Sequence, residues 1–453
     1  MDHDLIVIGG GAAGLGAARA ARRRGARVAL ISDAPLGGDC TFSGCVPSKT
    51  LLNAARQGLS FSAAMTRVSD VIDSIARTES AAVVRAEGVD VIAARARFTD
   101  ATTLDVDGAR VRARRVVLAT GAGPLVPAIP GLDRGSVLTN EDIFKLKNLP
   151  RRLGIVGGGP IGVEIAEAFA RLGSQVTVVE AAARLLPREE PEASEVIADY
   201  LSQLGVRLLS ATSCVAVHHG ASTTTLTLAT GAALECDALV VAVGRSPSSG
   251  DLGLEVASVA RDERGFVTVG ANLRTSARHV FAAGDVSQAL QFTHVADETG
   301  RLAAANALSR VAWRRFHPEW IPMVTYTGLE VARVGVREAE APRGARVAYL
   351  PMSEFDRAVM SGEERGFVKI IAGPRRLSGH LAGGQILGAT IVAPRAGEML
   401  AEVVLAMRTG LYGARLATAT HAYPTWSMAV QMTAAQFFGE FGGRRARQVD
   451  SRE

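Results

Sequence analysis

The sequence predicts an α/β protein with two similar βαβ segments and an α+β region after them. Each segment reads as a short apolar strand, a glycine cluster, an alanine-rich helix and a second strand, over residues 4–33 and 153–180. From about Trp313 the pattern changes to strands and two helices, residues 397–409 and 426–438. Three regions also suit a chain of 453 residues, because domains average roughly 150 residues.

Charge and hydropathy argue against two classes of partner. The chain has 50 basic and 45 acidic residues, and these are scattered rather than collected in a basic patch, so we expect no nucleic-acid binding. No apolar run approaches the roughly 18 residues that span a bilayer, and no cleavage site follows the first strand. We therefore expect a cytoplasmic protein that does not contact a membrane.

The first glycine cluster, Gly9, Gly11 and Gly14, has GxGxxG spacing directly after a strand and before a helix. In this context, backbone N–H groups at the helix N-terminus can approach a pyrophosphate. The alternative is a glycine turn that only packs the strand on the helix. The position between strand and helix favours a dinucleotide site.

The second cluster, Gly157, Gly159 and Gly162, repeats this spacing, and Glu180 follows at the end of the next strand. A carboxylate there accepts hydrogen bonds from an adenosine ribose and repels a 2′-phosphate, which favours NADH. Arg184 lies close by in the sequence, so NADPH stays open. One chain is therefore expected to carry two Rossmann-like dinucleotide folds.

The strongest chemical signal is the segment of residues 37–50, GGDCTFSGCVPSKT, in which four residues separate Cys40 from Cys45. This is not a usual zinc spacing, and the other cysteines, Cys214 and Cys236, are isolated and read as small buried apolar residues. Four cysteines in a chain of this length do not form a secreted disulfide framework. The close pair therefore indicates redox chemistry, and we expect no metal site.

The residues around Cys45 favour a reactive thiolate. Pro47 suits the first turn of a helix, which would put Cys45 near a helix N-terminus, whose positive end stabilises a thiolate. A purely structural disulfide is the alternative, and a reducing cytosol disfavours it.

With these motifs the chain resembles the class I pyridine nucleotide-disulfide oxidoreductases, the flavoproteins related to dihydrolipoamide dehydrogenase, glutathione reductase and mercuric reductase. The resemblance covers nearly the whole chain and rests first on the cysteine motif. Further matching segments are Ala119-Thr120-Gly121, Gly244-Arg245, Ala283-Gly284-Asp285 and residues 326–335, YTGLEVARVG.

The resemblance implies an FAD domain, an inserted NAD(P) domain and a C-terminal α+β domain through which the chain forms a homodimer. The implied boundaries are 1–148 and 246–315 for the FAD domain, 149–245 for the NAD(P) domain, 316–441 for the dimerisation domain and 442–453 for a flexible tail.

The resemblance also implies the route of the electrons. NAD(P)H reduces FAD, reduced flavin attacks the disulfide at Cys45, and Cys40 is released as the thiol that meets the substrate. Lys49 is expected near flavin N5 and paired with Glu164, because a buried lysine without an acidic partner loses its charge. The partner subunit's Tyr423 is expected to line the substrate side.

The implied cofactor contacts follow the matching motifs. Those to FAD are Gly9, Gly11, Ala12, Ala13, Gly14, Asp33, Gly38, Lys49, Ala119, Thr120, Gly121, Asp285, His294 and Ala296. Those to NAD(P) are Gly157, Gly159, Pro160, Ile161, Gly162, Glu180 and Gly244. Asp285 is expected at the ribityl and pyrophosphate region of FAD.

The sequence departs from the family pattern near its C-terminus. Disulfide reductases of this family usually carry His-Pro-Thr followed by Glu there, an acid/base dyad donated across the dimer interface, and the segment here is HAYPTWSM. Tyr423 takes the histidine place and Met428 the glutamate place. Because an unperturbed tyrosine titrates at about 10, Tyr423 is expected to donate a hydrogen bond rather than act as a base, and His421 to be structural. A tyrosine here resembles the mercuric reductase branch.

The sequence therefore predicts an NAD(P)H-dependent FAD enzyme that passes electrons through the Cys40–Cys45 disulfide to a small disulfide or another thiol-reactive acceptor. Three alternatives stay open. They are a quinone or dye reductase that acts directly from the flavin, a mercuric ion reductase, and a flavin-bearing redox sensor or complex subunit.

Overall fold

The computed structural model describes residues 3–112, 114–287, 290–375 and 379–449. The chain forms two compact units. The first consists of Met1–Pro150 and Ala238–Pro318, and the second of Arg151–Asp237 and Glu319–Glu453. Along the described parts of the chain, every helix is too short or too polar to cross a membrane.

The first compact unit is built on a five-stranded parallel sheet. Its strands lie in the order Val280–Ala282, Val116–Leu118, Leu5–Ile8, Val28–Ile31 and Asp90–Ile92. The register places Ile6 beside Ala29 on one side and Val116 on the other. The first four strands are buried along their whole length, as is typical of a parallel sheet that is covered on both faces.

Two helices, Ala12–Arg22 and Thr293–Leu308, pack on one face of this sheet. They approach each other closely, since a Cβ atom added to Gly300 would lie 2.1 Å from the carbonyl oxygen of Ala13. Small residues at this contact therefore allow the two helices to pack closely against each other.

The other helices of this unit are Gly38–Phe42, Cys45–Arg56, Phe61–Thr78 and Ala81–Ala86. An antiparallel sheet, which contributes to the core on the other face of the parallel sheet, consists of Ala96–Phe98, Thr103–Val106 and Ala109–Arg112. Two more short strands, Ala122–Pro124 and Arg245–Pro247, pair with each other. The strand Ala238–Val241 also belongs to this unit.

The second compact unit contains the second βαβ segment. Its parallel strands lie in the order Arg207–Leu209, Gln175–Val179 and Arg152–Val156. Its first two helices are Pro160–Arg171 and Pro191–Gln203. An antiparallel sheet follows, formed by Cys214–His219, Thr224–Leu228 and Ala233–Cys236.

The C-terminal part of the second unit is a six-stranded antiparallel sheet with helices. Its strands lie in the order Met323–Thr325, Glu330–Gly335, Gln385–Ala393, Phe367–Gly373, Arg346–Pro351 and Arg447–Gln448. Its helices are Asp356–Ser361, Ala396–Thr409, Gly413–Thr418 and Met428–Ala435. The last helix is shorter than the expected 426–438, because Trp426 lies in the turn before it and Phe437 in the turn after it.

Part of the segment expected to be a flexible tail is paired with the body of the second unit. The strand Arg447–Gln448 pairs with Arg346–Pro351, and Arg444 forms an ion pair with Glu354 at 2.6 Å. Arg444 and the strand Arg447–Gln448 are therefore held by the second unit, and residues 450–453 lie outside the described part of the chain.

Candidate functional site

The cysteine pair lies on two consecutive helices of the first compact unit. Cys40 is in the helix Gly38–Phe42, and Cys45 is the first residue of the helix Cys45–Arg56. Both residues are thiols, with Cys40 half-buried and Cys45 exposed, and their side chains hydrogen-bond to each other. The two sulfurs are therefore close enough to interact directly, and Cys45 has the helix N-terminus that the sequence predicts.

A threonine hydroxyl contacts both sulfurs. Thr293, the first residue of the helix Thr293–Leu308, has its Oγ1 atom 3.4 Å from Cys45 Sγ. The hydrogen bond that the Cys40 thiol donates to Cys45, together with burial, raises the pKa of Cys40, whereas a hydrogen bond from Thr293 lowers that pKa. Sequence reasoning missed Thr293, because 248 residues separate it from Cys45 and no local motif marks the contact.

Replacing Thr293 with valine should make the reduced pair react more slowly with an alkylating agent at neutral pH. The variant keeps the side-chain shape but loses a donor that stabilises the thiolate, so the alkylation rate should reach half its maximum at a higher pH. Stopped-flow alkylation of the reduced protein across a pH series measures this shift. Thr293→Ser keeps the hydroxyl group and should have the wild-type pH dependence of alkylation. If Thr293→Val also has the wild-type pH dependence, Thr293 does not stabilise the thiolate.

The first glycine cluster leaves room for a ligand at one position and for none at another. A Cβ atom on Gly14 would lie 1.8 Å from the carbonyl oxygen of Gly9, whereas a Cβ atom on Gly11 would meet, among the described residues, only Gly38 Cα, at 3.9 Å. Gly11 precedes the helix Ala12–Arg22, and no side chain caps that N-terminus. The open position and the uncapped N–H groups fit the pyrophosphate of FAD.

The structure brings most of the FAD residues expected from the sequence to one edge of the parallel sheet. They follow the carboxyl ends of four of its strands, and in an open α/β sheet ligands bind at that edge. These residues are Gly9, Gly11, Asp33, Ala119, Thr120, Gly121 and Asp285. Ala12, Ala13 and Gly14 continue into the first helix, Gly38 begins the helix of Cys40, and His294 and Ala296 lie in the first turn of the helix Thr293–Leu308.

Two carboxylates at this edge differ in their surroundings. Asp33 is exposed and forms an ion pair with Arg95 at 2.9 Å. Burial raises the pKa of Asp285, and the nearby Arg245 guanidinium lowers it. Asp285 is thus a partly desolvated acceptor, which fits contact with ligand hydroxyl groups.

The second glycine cluster repeats the same arrangement in the second compact unit. A Cβ atom on Gly162 would lie 1.9 Å from the carbonyl oxygen of Gly157, whereas a Cβ atom on Gly159 would have no atom of the described residues within 4 Å. Glu180 accepts hydrogen bonds from the N–H groups of Gly158 and Ala182, both at 2.6 Å. Its carboxylate is therefore fixed beside the glycine loop, where a ribose is expected.

The remaining NAD(P) residues divide between the two compact units. Pro160 and Ile161 begin the helix Pro160–Arg171 of the second unit, while Gly244 belongs to the first. Lys49 likewise belongs to the first unit and Glu164 to the second, so their pairing stays a prediction. Within its own unit, Glu164 accepts a hydrogen bond from the N–H group of Tyr326 at 2.9 Å.

In the C-terminal segment, Tyr423 and His421 each contact a carboxylate. Tyr423 is 61% exposed and donates a hydrogen bond to Asp356 at 3.2 Å, which raises the pKa of the tyrosine. His421 contacts Glu402 through Nε2, at 2.9 Å, and the Ala419 carbonyl oxygen through Nδ1, also at 2.9 Å. Both ring nitrogens of His421 are thus occupied, which suits a structural residue rather than a catalytic base.

The first compact unit contains a cavity of about 290 Å³ along the helix Ala12–Arg22. It follows one face of the helix Ala12–Arg22 from Ala12 to Arg23, which is ~16 Å along a helix axis. Thr293, the residue that contacts both sulfurs, is part of its wall. Thr293 is therefore shared between the wall of the cavity and the contacts of the cysteine pair.

Charged residues of both signs line this cavity. The basic residues in its wall are Arg19, Arg23 and Arg301, and the acidic residues are Glu79 and Asp297. Glu79 accepts a hydrogen bond from the hydroxyl group of Thr41, the residue after Cys40. Among the described side chains, no group of His, Cys, Asp or Glu is arranged to hold a metal ion.

The chain matches two family models and many known proteins. The models are pyridine nucleotide-disulphide oxidoreductase, over residues 3–300, and the dimerisation domain of that family, over residues 321–434. A mercuric reductase of Staphylococcus aureus is 32% identical over 96% of this chain and 82% of the relative. A dihydrolipoyl dehydrogenase of Chlamydia muridarum is 31% identical over 93% of this chain and 94% of the relative.

A solved structure agrees with these matches. The Cu(II) complex of the HOCl-induced flavoprotein disulfide reductase RclA from Escherichia coli has a TM-score of 0.87 and 31% identity, and the match covers 96% of this chain and 99% of that chain. The predicted α/β fold class, family and cofactors are thereby confirmed. The chain belongs to the pyridine nucleotide-disulphide oxidoreductases, and it is an enzyme that uses FAD and NAD(P)H and carries the dimerisation domain of that family.

Proposed function

We propose that this enzyme reduces small disulfides that carry both carboxylate and ammonium groups, with electrons that pass through Cys40 and Cys45. The observation that carries the proposal is Thr293, which contacts both sulfurs and also lines the charged cavity. FAD, when bound, supplies the transfer of an electron pair from the nicotinamide to a disulfide.

The protein's own residues perform the exchange with the substrate. Two electrons and one proton open the Cys40–Cys45 disulfide to one thiolate and one thiol. As the Cys40 sulfur attacks one substrate sulfur, the Cys40 proton passes to the first substrate thiol, which leaves, and a mixed disulfide with Cys40 forms. The Cys45 thiolate then attacks the Cys40 sulfur and restores the Cys40–Cys45 bond, and the second substrate thiolate leaves and takes a proton from solvent. The Thr293 hydroxyl stabilises negative charge on sulfur during these steps.

The charges of the cavity support the substrate class. Arg301 forms an ion pair with Asp297 at 2.8 Å, and its side chain is 54% exposed, so it can also bind a ligand carboxylate. Glu79 can accept a hydrogen bond from a ligand ammonium group in the same cavity. A disulfide of amino-acid-derived thiols carries both of these groups.

Arg301→Leu should lower kcat/KM for charged disulfides such as cystine or glutathione disulfide about tenfold, because a charge-assisted hydrogen bond contributes roughly 1.5–3 kcal/mol. Turnover of the neutral hydroxyethyl disulfide should change less than about twofold, since it has no carboxylate to lose. Initial rates of NADH oxidation measure both. Arg310→Leu, on exposed backbone shortly after the same helix, is the matched control. Equal losses with charged and neutral disulfides would contradict the proposed substrate class.

Mercuric ion reduction is the second candidate function. It is favoured by the similarity to mercuric reductases such as the one from Staphylococcus aureus. Tyr423 in place of histidine also suits it. NADH oxidation that depends on Hg(II) and is faster than with any disulfide would favour this candidate over disulfide reduction.

NADH is favoured because the Glu180 carboxylate is fixed beside the glycine loop. A homodimer is supported by the dimerisation domain and by the exposure of Tyr423, which a partner's cysteine pair could reach.

Lys49 with Glu164 is proposed to balance charge on reduced flavin. We propose the cytoplasm as location, because a dithiol that cycles with NAD(P)H needs a reducing compartment.

A further inference from the structure

The residue before Cys40 is held by three neighbours. Asp39 Oδ2 lies 2.6 Å from Arg245 Nη2, and Asp39 Oδ1 accepts hydrogen bonds from Asn140 and from the hydroxyl group of Ser43. Asn140 is buried and also donates to the Ser43 carbonyl oxygen at 3.2 Å. These bonds fix the short stretch of chain that joins the two cysteines.

Arg245 links this carboxylate to a second one. Its side chain is only 12% exposed, and its Nε atom lies 3.4 Å from Asp285 Oδ2. It comes from the short strand Arg245–Pro247, and its guanidinium also donates to the Ala122 carbonyl oxygen. One cation thus lies between Asp39 and Asp285.

Two of these charges are linked to the cysteine pair. Asp39 is the neighbour of Cys40 in the chain, and Asp285 interacts electrostatically with Cys45. A nearby cation stabilises a thiolate and a nearby carboxylate destabilises it. Because only the reduced pair contains a thiolate, a charge that stabilises the thiolate shifts the equilibrium towards the dithiol.

We propose that Asp39 and Arg245 are positioning residues that set the reduction potential of the Cys40–Cys45 pair through their opposite charges. The proposal rests on the redox role proposed above for the two cysteines. Asp39 favours the disulfide and Arg245 favours the dithiol, and the ion pair between them holds the two effects in balance.

The test uses two variants that should shift the dithiol–disulfide equilibrium in opposite directions. Asp39→Asn removes a negative charge with little change of shape and should shift the equilibrium about tenfold towards the dithiol, which equals about 30 mV for a two-electron couple. Arg245→Met leaves two carboxylates beside the pair and should shift the equilibrium about tenfold towards the disulfide. The double variant should return close to wild type.

The potential is read from the FAD-loaded enzyme in buffers of reduced and oxidised dithiothreitol at pH 7. In this exchange one dithiothreitol dithiol reduces one Cys40–Cys45 disulfide and becomes its cyclic disulfide. After an acid quench and alkylation, the mass of the peptide with both cysteines gives the reduced fraction. Arg261→Met, which breaks an ion pair with Glu255 on the same compact unit, is the control and should leave the potential unchanged.

The outcomes separate this inference from the proposed function. If both single variants shift the equilibrium in the same direction, or by less than about threefold, the bonds only hold the loop and the inference fails alone. If wild type never forms the Cys40–Cys45 disulfide, the proposed function fails as well. Should Arg245→Met not fold, Asp39→Asn still tests the sign, and Arg245→Lys, which keeps the charge, should stay within threefold of wild type.

Discussion

Replacing Cys45 with serine should abolish disulfide turnover, with a loss on the order of 10³-fold or more, because no second sulfur remains to receive the electron pair. With one equivalent of NADH under argon, wild type should gain two titratable thiols. The variant should gain none, although its cofactor is still reduced. Thiol titration after rapid acid quench measures the difference.

Cys214→Ser is the matched control for this experiment. Cys214 is buried in the antiparallel sheet of the second compact unit, and burial raises the pKa of its thiol, so it should take no part in turnover. Quinone reduction is a second comparison. If a quinone accepts electrons without the cysteine pair, Cys45→Ser should still reduce it although it no longer reduces disulfides. Disulfide turnover that persists in the variant would show that electrons bypass the cysteines.

The parts of the site that were predictable from sequence are those whose signal is local. GxGxxG after an apolar run fixes a strand, a turn and a helix within about fifteen residues, and both glycine clusters lie in that arrangement. Pro47 placed Cys45 at a helix N-terminus for the same reason, since proline suits the first turn.

The parts that could not be predicted depend on contacts between distant segments. Thr293 reaches Cys45 across 248 residues, and Tyr423 reaches Asp356 across 67. Neither threonine nor aspartate stands out by type, because both are common on helices and at helix starts. Only the packing of the helix Thr293–Leu308 on the parallel sheet brings that hydroxyl to the sulfurs.

The ends of elements were also beyond the sequence pattern. Apolar residues around Trp426 and Phe437 extend the helical period past the true helix, because both side chains are buried from turns. Burial alone therefore does not mark where a helix ends. The edge strand Arg447–Gln448 was missed because an arginine-rich segment gives no strand signal, and its pairing depends on an open sheet edge.

Two glycines of the first cluster, Gly14 and Gly11, should respond very differently to substitution by alanine. Gly14→Ala would place a Cβ atom 1.8 Å from the Gly9 carbonyl oxygen, so the helix and strand must separate, and we expect a loss of about 3 kcal/mol or more in the free energy of unfolding. In Gly11→Ala the added methyl group meets no atom of the described residues closer than 3.9 Å, so it should change that free energy by less than about 1 kcal/mol.

The loss of FAD affinity, in variants that still fold, should be larger for Gly11→Ala than for Gly14→Ala. Gly11 lies where the backbone must approach the pyrophosphate, so a methyl group there should weaken FAD binding about a hundredfold while the apoprotein keeps its stability. Urea unfolding of the apoproteins gives the free energies, and FAD titration by fluorescence quenching gives the affinities. Because both variants add the same methyl group three residues apart, only the surroundings of each Cβ can cause a difference. Equal FAD affinity in Gly11→Ala and wild type would show that this face of the loop does not contact the cofactor.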